Sequence, residues 1–442
     1  MNRILHLGFG NFHRAHQAFY TAAANALGEN WAITGVAMRR PDLRDALAAG
    51  GFAYTLGIRG TDGLEARHIA VHDRVLVVPE DPQAVIDAIA DPETHIVSLT
   101  VTEKGYHLNP ATGAPDLDGA ALAADLVAPL PQTAVGLIAH GLAKRVAAGA
   151  PVTVLSCDNI SGNGHKLAHA VHGFAKAAGL DIGDFLATHV RFPDSMVDRI
   201  TPATTDGIRA EIAAITGKNE PQPVLTEAFS EWIIEDDFAG PRPAWDKVGV
   251  EIVPDVAPFE MRKLRLLNAA HSYLAYAGQL AGHRYVHEAI RDPRLRPIVE
   301  GIWDEAASTL PDAVADTTPA YRTALLDRFE GAGMRHELAQ IAQDGSLKLP
   351  VRLVPVWHLR RAAGDLAPNV TEAVAAWLAF VRREVLAGRA LADPAAGRLA
   401  GMVRGADDTD AFCRAGCALL DMEEGTADWL ATLVRDVDAL SP

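Results

Sequence analysis

The first 160 residues alternate between two hydrophobic rhythms. Short apolar runs, rich in β-branched residues, fall at "RILHLG" (3–8), "WAITGVAM" (31–38), "DRVLVV" (73–78), "HIVSLTV" (95–101) and "PVTVLSCDN" (151–159). Helical spacing appears between them, at "NFHRAHQAFYTAAANAL" (11–27), "PQAVIDAIA" (82–90) and "TAVGLIAHGLAKRVAAG" (133–149). Strands alternating with helices predict a doubly wound α/β sheet, which binds ligands beyond the carboxyl ends of its strands. The rhythm changes at 240–258. "GPRPAWDKVG" (240–249) reads as a crossing loop, and "DVAPFE" (255–260) opens a helix with Asp255 as its cap. Longer helical patterns follow over 259–281, 294–309, 317–330, 370–387 and 426–438. The expected organisation is an α/β domain over 1–250 and a mainly α-helical domain over 251–442.

The loop after the first strand, "LGFGNFHRAH" (7–16), carries the first two glycines of a G-x-G-x-x-G pattern. Gly8 permits the tight turn, and Gly10 lets backbone approach a pyrophosphate at the helix start. The third position is His13 rather than glycine. Its place at the start of the α/β region makes a Rossmann-like dinucleotide domain the expectation. The second strand ends in "MRRPDL" (38–43). Asp42 stands somewhat late for a ribose-binding acid, and Arg39 and Arg40 precede it, so NAD and NADP both remain open.

The segment "KLRLLNAAH" (263–271) sets Lys263, Asn268 and His271 among leucines and alanines. A lysine in an apolar helix costs free energy unless it is paired or neutralised. At about 100° per residue, Glu260, Lys263, Leu267 and His271 share one helix face, with Asn268 beside His271. Arg262, Arg265 and Ser272 point elsewhere. Desolvation lowers a lysine toward roughly 7–8, which suits a general base near neutral pH. Asparagine amides suit a developing alkoxide. This chemistry needs no metal.

Composition narrows the classes. The chain has 442 residues, 49% hydrophobic and 22% charged, with a net charge of −16. Such acidity argues against nucleic acid and anionic membranes as partners. Three cysteines, Cys157, Cys413 and Cys417, make no disulfide framework. "MNRILHLGFG" has no basic n-region and apolar h-region, and no apolar run reaches about 18 residues. A soluble, cytoplasmic protein is expected.

Six motifs occur in order: "GFGNFHRAHQ" (8–17), "TVTEKGY" (100–106), "SCDNISGNG" (156–164), "FPDSMVDRITP" (192–202), "EWIIEDDF" (231–238) and "PFEMRKLRLLNAAHSYLAY" (258–276). Together they resemble the polyol-specific long-chain dehydrogenases, the mannitol dehydrogenase and fructuronate reductase family, over nearly the whole chain. The resemblance implies a nicotinamide-dependent, metal-independent, monomeric enzyme that interconverts a secondary alcohol and a ketone of a linear sugar derivative. It implies Lys263 as catalytic base, Asn159 and Asn268 as the pair holding the reacting oxygen, and His271 as a substrate-orienting residue. Glu260 would pass protons to solvent, and Asp198 would meet substrate. Cofactor contacts are expected from Gly8, Gly10, Asn11, Phe12, His13, Arg39, Asp42, Thr100, Val101 and Thr102.

Lys104 in "TEKGY" and the segment "MRHELAQIAQDGSLKLPVRL" (334–353) resemble the fructuronate reductase branch. Mannitol dehydrogenases place an arginine eight residues before the lysine matching Lys348, and here that position is Gln340. Arg335, Lys348 or Arg352 would then meet a substrate carboxylate, for which an arginine fork is the natural partner. D-mannonate/D-fructuronate is the favoured pair, with D-mannitol/D-fructose as the alternative. Two other classes stay open: a catalytically silent NAD(H)-binding sensor, and a zinc-dependent dehydrogenase using His165, His169 and His172. No carboxylate base accompanies those histidines, and a solvated helix face is the plainer reading.

Overall fold

The computed structural model describes residues 1–60, 63–109, 112–422 and 426–440. It divides into two compact units, Met1–Ala257 and Pro258–Pro442.

In chain order, the strands of the first unit are β1 (Asn2–Leu7), β2 (Trp31–Ala37), β3 (Tyr54–Gly60), β4 (Gly63–Ile69), β5 (His72–Val77), β6 (Thr94–Leu99), β7 (Val152–Ser156), β8 (Val190–Arg191), β9 (Ser195–Asp198), β10 (Val224–Glu227), β11 (Glu231–Glu235) and β12 (Glu251–Val253). Six of them form a parallel sheet in the order β5-β2-β1-β6-β7-β8. The chain steps outward from β1 through β2 to β5, then returns to the other side of β1. That reversal places a topological switch point between β1 and β6, where doubly wound sheets bind ligands. Every residue of β2 and β7 is buried, as a sheet covered on both faces requires. One face packs against the helices Pro82–Ala90, Ala134–Arg145 and Asn163–Ala177, and the other against a core containing Trp31, Trp232 and Trp245.

The helix Pro82–Ala90 forms where the pattern predicts. Asp81 accepts the Ala84 N–H at 2.9 Å, and proline occupies the first turn. The single helix expected over 11–27 is instead two, Asn11–Ala15 and Gln17–Ala26, broken at His16 (φ −116°, ψ −89°). Two small three-stranded sheets, β10-β3-β4 and β12-β11-β9, were not expected. β4 is exposed at most positions, and β9 and β12 have only four and three residues. Neither case leaves a period-two pattern long enough to read.

In the second unit the long helix Pro368–Leu386 packs against Ala269–Leu280 and Ala427–Leu440. Among the described residues no helix is long and apolar enough to cross a membrane. The segment holding Lys263 is not one regular helix. Helix Ala257–Lys263 runs into a π turn, Leu264–Asn268, and then into Ala269–Leu280. The Ala269 N–H donates to the Leu264 carbonyl, five residues back.

Candidate active site

At the switch point the first unit opens a cleft of about 690 Å³. Gly8, Phe9, Met38, Arg39, Asp42 and Thr100–Thr102 line it, together with Gly105, His107 and the helix start at Gln132–Ala134. The last group left no cofactor-like signal in the sequence. Gly8 has φ +99°, and a Cβ there would lie 2.1 Å from the Thr100 carbonyl oxygen. Only glycine lets the β1 loop pass so close to the end of β6. Thr100 Oγ1 donates to the Gly8 carbonyl at 3.1 Å and sits 2.9 Å from His6 Nε2. Arg39, Arg40 and Asp42 lie exposed beyond β2, with Arg40 Nε 3.6 Å from Asp42 Oδ2.

The other cofactor contacts expected in this loop do not line that cleft. The Asn11 amide donates to the Pro202 carbonyl and to Thr204 Oγ1, and its oxygen accepts from Arg14. Phe12 stacks on His16, with ring centroids 5.0 Å apart. His13 is 1% exposed, stacks on His6 at 3.6 Å and places Nε2 2.9 Å from His72 Nε2. Where a third glycine would give close helix packing, the chain uses a buried imidazole array instead. Burial, with mutual repulsion, depresses His6 to about 3 and holds His13 well below the ordinary histidine value. Burial and then the Arg14 charge depress His72 to about 3.

At the end of β7, Asp158 is buried and Asn159 exposed. Asp158 accepts hydrogen bonds from the Val101 and Thr102 N–H groups and from Tyr106. Asp198 is buried on β9, opposite Glu231 of β11. Lys104 is exposed in the 3₁₀ turn Glu103–Tyr106.

In the second unit Lys263 is only 5% exposed, and it ends the helix just before the π turn. The flanking arginines anchor the segment. Arg262 donates to Thr317 Oγ1 at 2.7 Å and lies over the Tyr321 ring, and Arg265 donates to the Thr309 carbonyl at 2.6 Å. Trp303 Nε1 donates to the Leu266 carbonyl inside the π turn at 3.0 Å. The Asn268 carbonyl accepts from Ser272 and Arg352. His271 is buried against Phe329, ring centroids 4.7 Å apart, and perpendicular to His336 at 5.3 Å. Burial first, then His336, Arg328 and Arg352, holds His271 unprotonated, well below its ordinary range. His336 itself is depressed to about 4, mainly by burial. Sequence reasoning did not single it out, since a histidine in a loop pattern carries no such signal. Glu260 lies half-buried in the first turn of the leading helix.

Of the basic residues assigned to a substrate carboxylate, Arg335 is exposed at φ +43°. Lys348 Nζ donates to the Ile341 carbonyl at 3.3 Å, and Arg352 donates to Ser272 Oγ at 3.0 Å. Burial lowers both cations, Arg352 to about 10. The histidine-rich helix gives no ligand set: His165 pairs with Asp194 at 2.7 Å. Among the described residues no group of three or more histidine, cysteine or carboxylate side chains is placed to hold a metal ion.

Comparison with known proteins agrees with this architecture. Residues 2–247 match the model of the mannitol dehydrogenase Rossmann domain, and residues 255–412 that of the mannitol dehydrogenase C-terminal domain. A mannitol 2-dehydrogenase of Phaeosphaeria nodorum is 39% identical over 86% of this chain and 68% of its own length. The D-mannonate oxidoreductase of Escherichia coli is 39% identical over 86% of this chain and 80% of its own. The structure of Pseudomonas fluorescens mannitol 2-dehydrogenase, a ternary complex with NAD and D-mannitol, superposes with a TM-score of 0.82. It is 35% identical and covers 99% of this chain and 92% of its own. A doubly wound cleft at the switch point, a buried lysine on an interrupted helix and two matched domain models lead to one conclusion: this chain is an oxidoreductase of the mannitol dehydrogenase family.

Proposed function

We propose that this enzyme transfers hydride between NAD(H) and the linear sugar acid pair D-mannonate/D-fructuronate. In the oxidation direction Lys263 takes the hydroxyl proton. Asn159 and Asn268 stabilise the alkoxide-like oxygen, His271 orients the substrate, and Glu260 passes the proton to solvent. NAD is the cofactor bound in the related P. fluorescens structure, and the residues rimming the cleft fit a dinucleotide. Gly8 carries no Cβ there, and Arg39 and Asp42 stand beyond β2 for the adenosine ribose. When bound, the nicotinamide supplies the hydride acceptor. Arg39, Arg40 and Asp42 would settle the 2′-phosphate preference.

The preference for an acid rests on one observation: His271 packs against His336, and Arg352 reaches the Asn268 carbonyl and Ser272 Oγ beside it, so the charge near His271 is cationic. A carboxylate is the substrate group such a field favours. A second reading, D-mannitol/D-fructose, is supported by the carbonyl and hydroxyl partners already taken by Lys348 and Arg352. NADH oxidation measured with D-fructuronate and with D-fructose at matched concentrations separates the two. Fructuronate is expected to win by about tenfold or more in kcat/KM, and a preference for fructose would overturn the acid reading.

A further inference from the structure

We propose that Asp158 is a positioning residue that clamps the loop after β6 to the turn after β7, setting the rim of the cofactor cleft and the placement of Asn159 together. Its Oδ1 accepts the Thr102 N–H at 2.8 Å, and its Oδ2 accepts the Val101 N–H at 3.1 Å and the Tyr106 hydroxyl at 3.0 Å. Its own backbone is fixed as well. The Asp158 N–H donates to Ser156 Oγ at 3.2 Å, and its carbonyl accepts from the Asn163 amide at 2.9 Å.

The clamp answers a specific need. Thr102 has φ +67° and ψ +164°. A β-branched residue occupies that region only where its surroundings over-determine it. The bond from Thr102 N–H to Asp158 supplies the constraint, and Gly105 accommodates the turn, since a Cβ there would lie 2.7 Å from Val101 Cγ2. Thr100–Thr102 line the cleft, so the strained residue is itself part of the rim. A carboxylate is the side chain this position requires. Two of its three partners are backbone N–H groups that can only donate, and an asparagine would turn an NH₂ toward one of them. Burial raises the Asp158 carboxyl while the three donors oppose that rise.

This inference rests on the dehydrogenase reading, and the two fail separately. The adenosine half of a dinucleotide lies toward β2 in such sheets, so the β6 and β7 ends serve the other half. The test measures NADH and 5′-AMP dissociation constants, together with kcat, for the wild type, Asp158→Asn, Tyr106→Phe and Asp158→Asn/Thr102→Gly. Asp158→Asn is expected to weaken NADH by about tenfold and lower kcat by a similar factor, with 5′-AMP changed by less than about twofold. Glycine accepts a positive φ freely, so the double variant is expected to regain about threefold in NADH affinity. Should Asp158→Asn not fold, Tyr106→Phe, which removes one of three donors, is expected to weaken NADH by about threefold with 5′-AMP unchanged. NADH affinity within about twofold of wild type in Asp158→Asn, or in Tyr106→Phe where the former does not fold, would overturn the clamp, as would equal losses of NADH and 5′-AMP. Wild type that binds NADH but turns over no sugar overturns the functional reading and leaves the binding test standing.

Discussion

The two units prepare for chemistry in opposite ways. The first works with backbone: the cleft at the switch point is bounded by strand ends, by a glycine at φ +99° and by a threonine held at φ +67°. The second, in the mechanism proposed above, works with side chains: Lys263, Asn268 and His271 hang from one interrupted helix anchored by hydrogen bonds of Arg262, Arg265 and Trp303. Backbone groups suit a ligand that is the same in every turnover, because they offer a rigid surface without choice. Side chains suit a reacting centre, because their protonation and identity can be tuned residue by residue.

This contrast can be broken at four points, from the largest expected effect to the smallest. Lys263→Met should lower kcat by about 10²–10⁴-fold while NADH still binds, since general-base catalysis contributes on that scale. Stopped-flow NADH oxidation and a fluorescence titration of the same variant check it, and undiminished turnover would remove lysine from the mechanism. Gly8→Ala should cost about 2–4 kcal/mol of unfolding free energy, because the new Cβ meets the Thr100 carbonyl at 2.1 Å in a left-handed residue. Gly10→Ala meets only the Gly8 carbonyl, at 3.6 Å. Denaturant melts of the two should therefore differ, with NADH affinity falling in Gly8→Ala.

Acid should act through the buried imidazoles of both units. His6 and His72, depressed to about 3, bind no proton in the folded protein when an unfolded histidine does. Their contribution to stability is full above about pH 6.5 and falls as pH drops toward their folded values. His336, depressed to about 4, and His271, held well below its ordinary range, add terms of the same sign in the second unit. Melting temperature recorded from pH 7 to pH 4 is expected to fall, and a flat profile would mean the array accepts protons while folded. Last, Trp303→Phe removes the donor to the Leu266 carbonyl and should cost about 1 kcal/mol by thermal melt.

Much of this was legible in the sequence, for reasons that differ by region. The strand–helix alternation gave the sheet because parallel strands buried on both faces are continuous apolar runs, as β2 is. "PQAVIDAIA" shows its helix through a cap, a proline and an amphipathic period together. The polar residues in "KLRLLNAAH" stood out because burial makes them costly. Tertiary causes were hidden. The break at His16 follows from rings that arrive from β11 and its neighbours, since His16 packs on Trp232 at 5.0 Å. His13 looked like a phosphate-loop residue because the pattern cannot show that His6 and His72 fold onto it. Asp158 sat unremarked between a cysteine and an asparagine, because its three donors lie more than fifty residues away. The 100° spacing that grouped Glu260, Lys263 and His271 assumes a uniform helix, which the π turn denies.

That π turn has a consequence for anyone who would redesign the chain. Removing one residue from Leu264–Asn268 would yield a straight helix of nearly the same composition, and a better one by every local measure. It would also turn each later side chain by about 100° about the axis relative to Lys263. His271 would leave Phe329 and His336, and Ser272 would leave Arg352. The helix is in effect two rods spliced out of phase, and the splice is what sets His271 against Phe329 and His336.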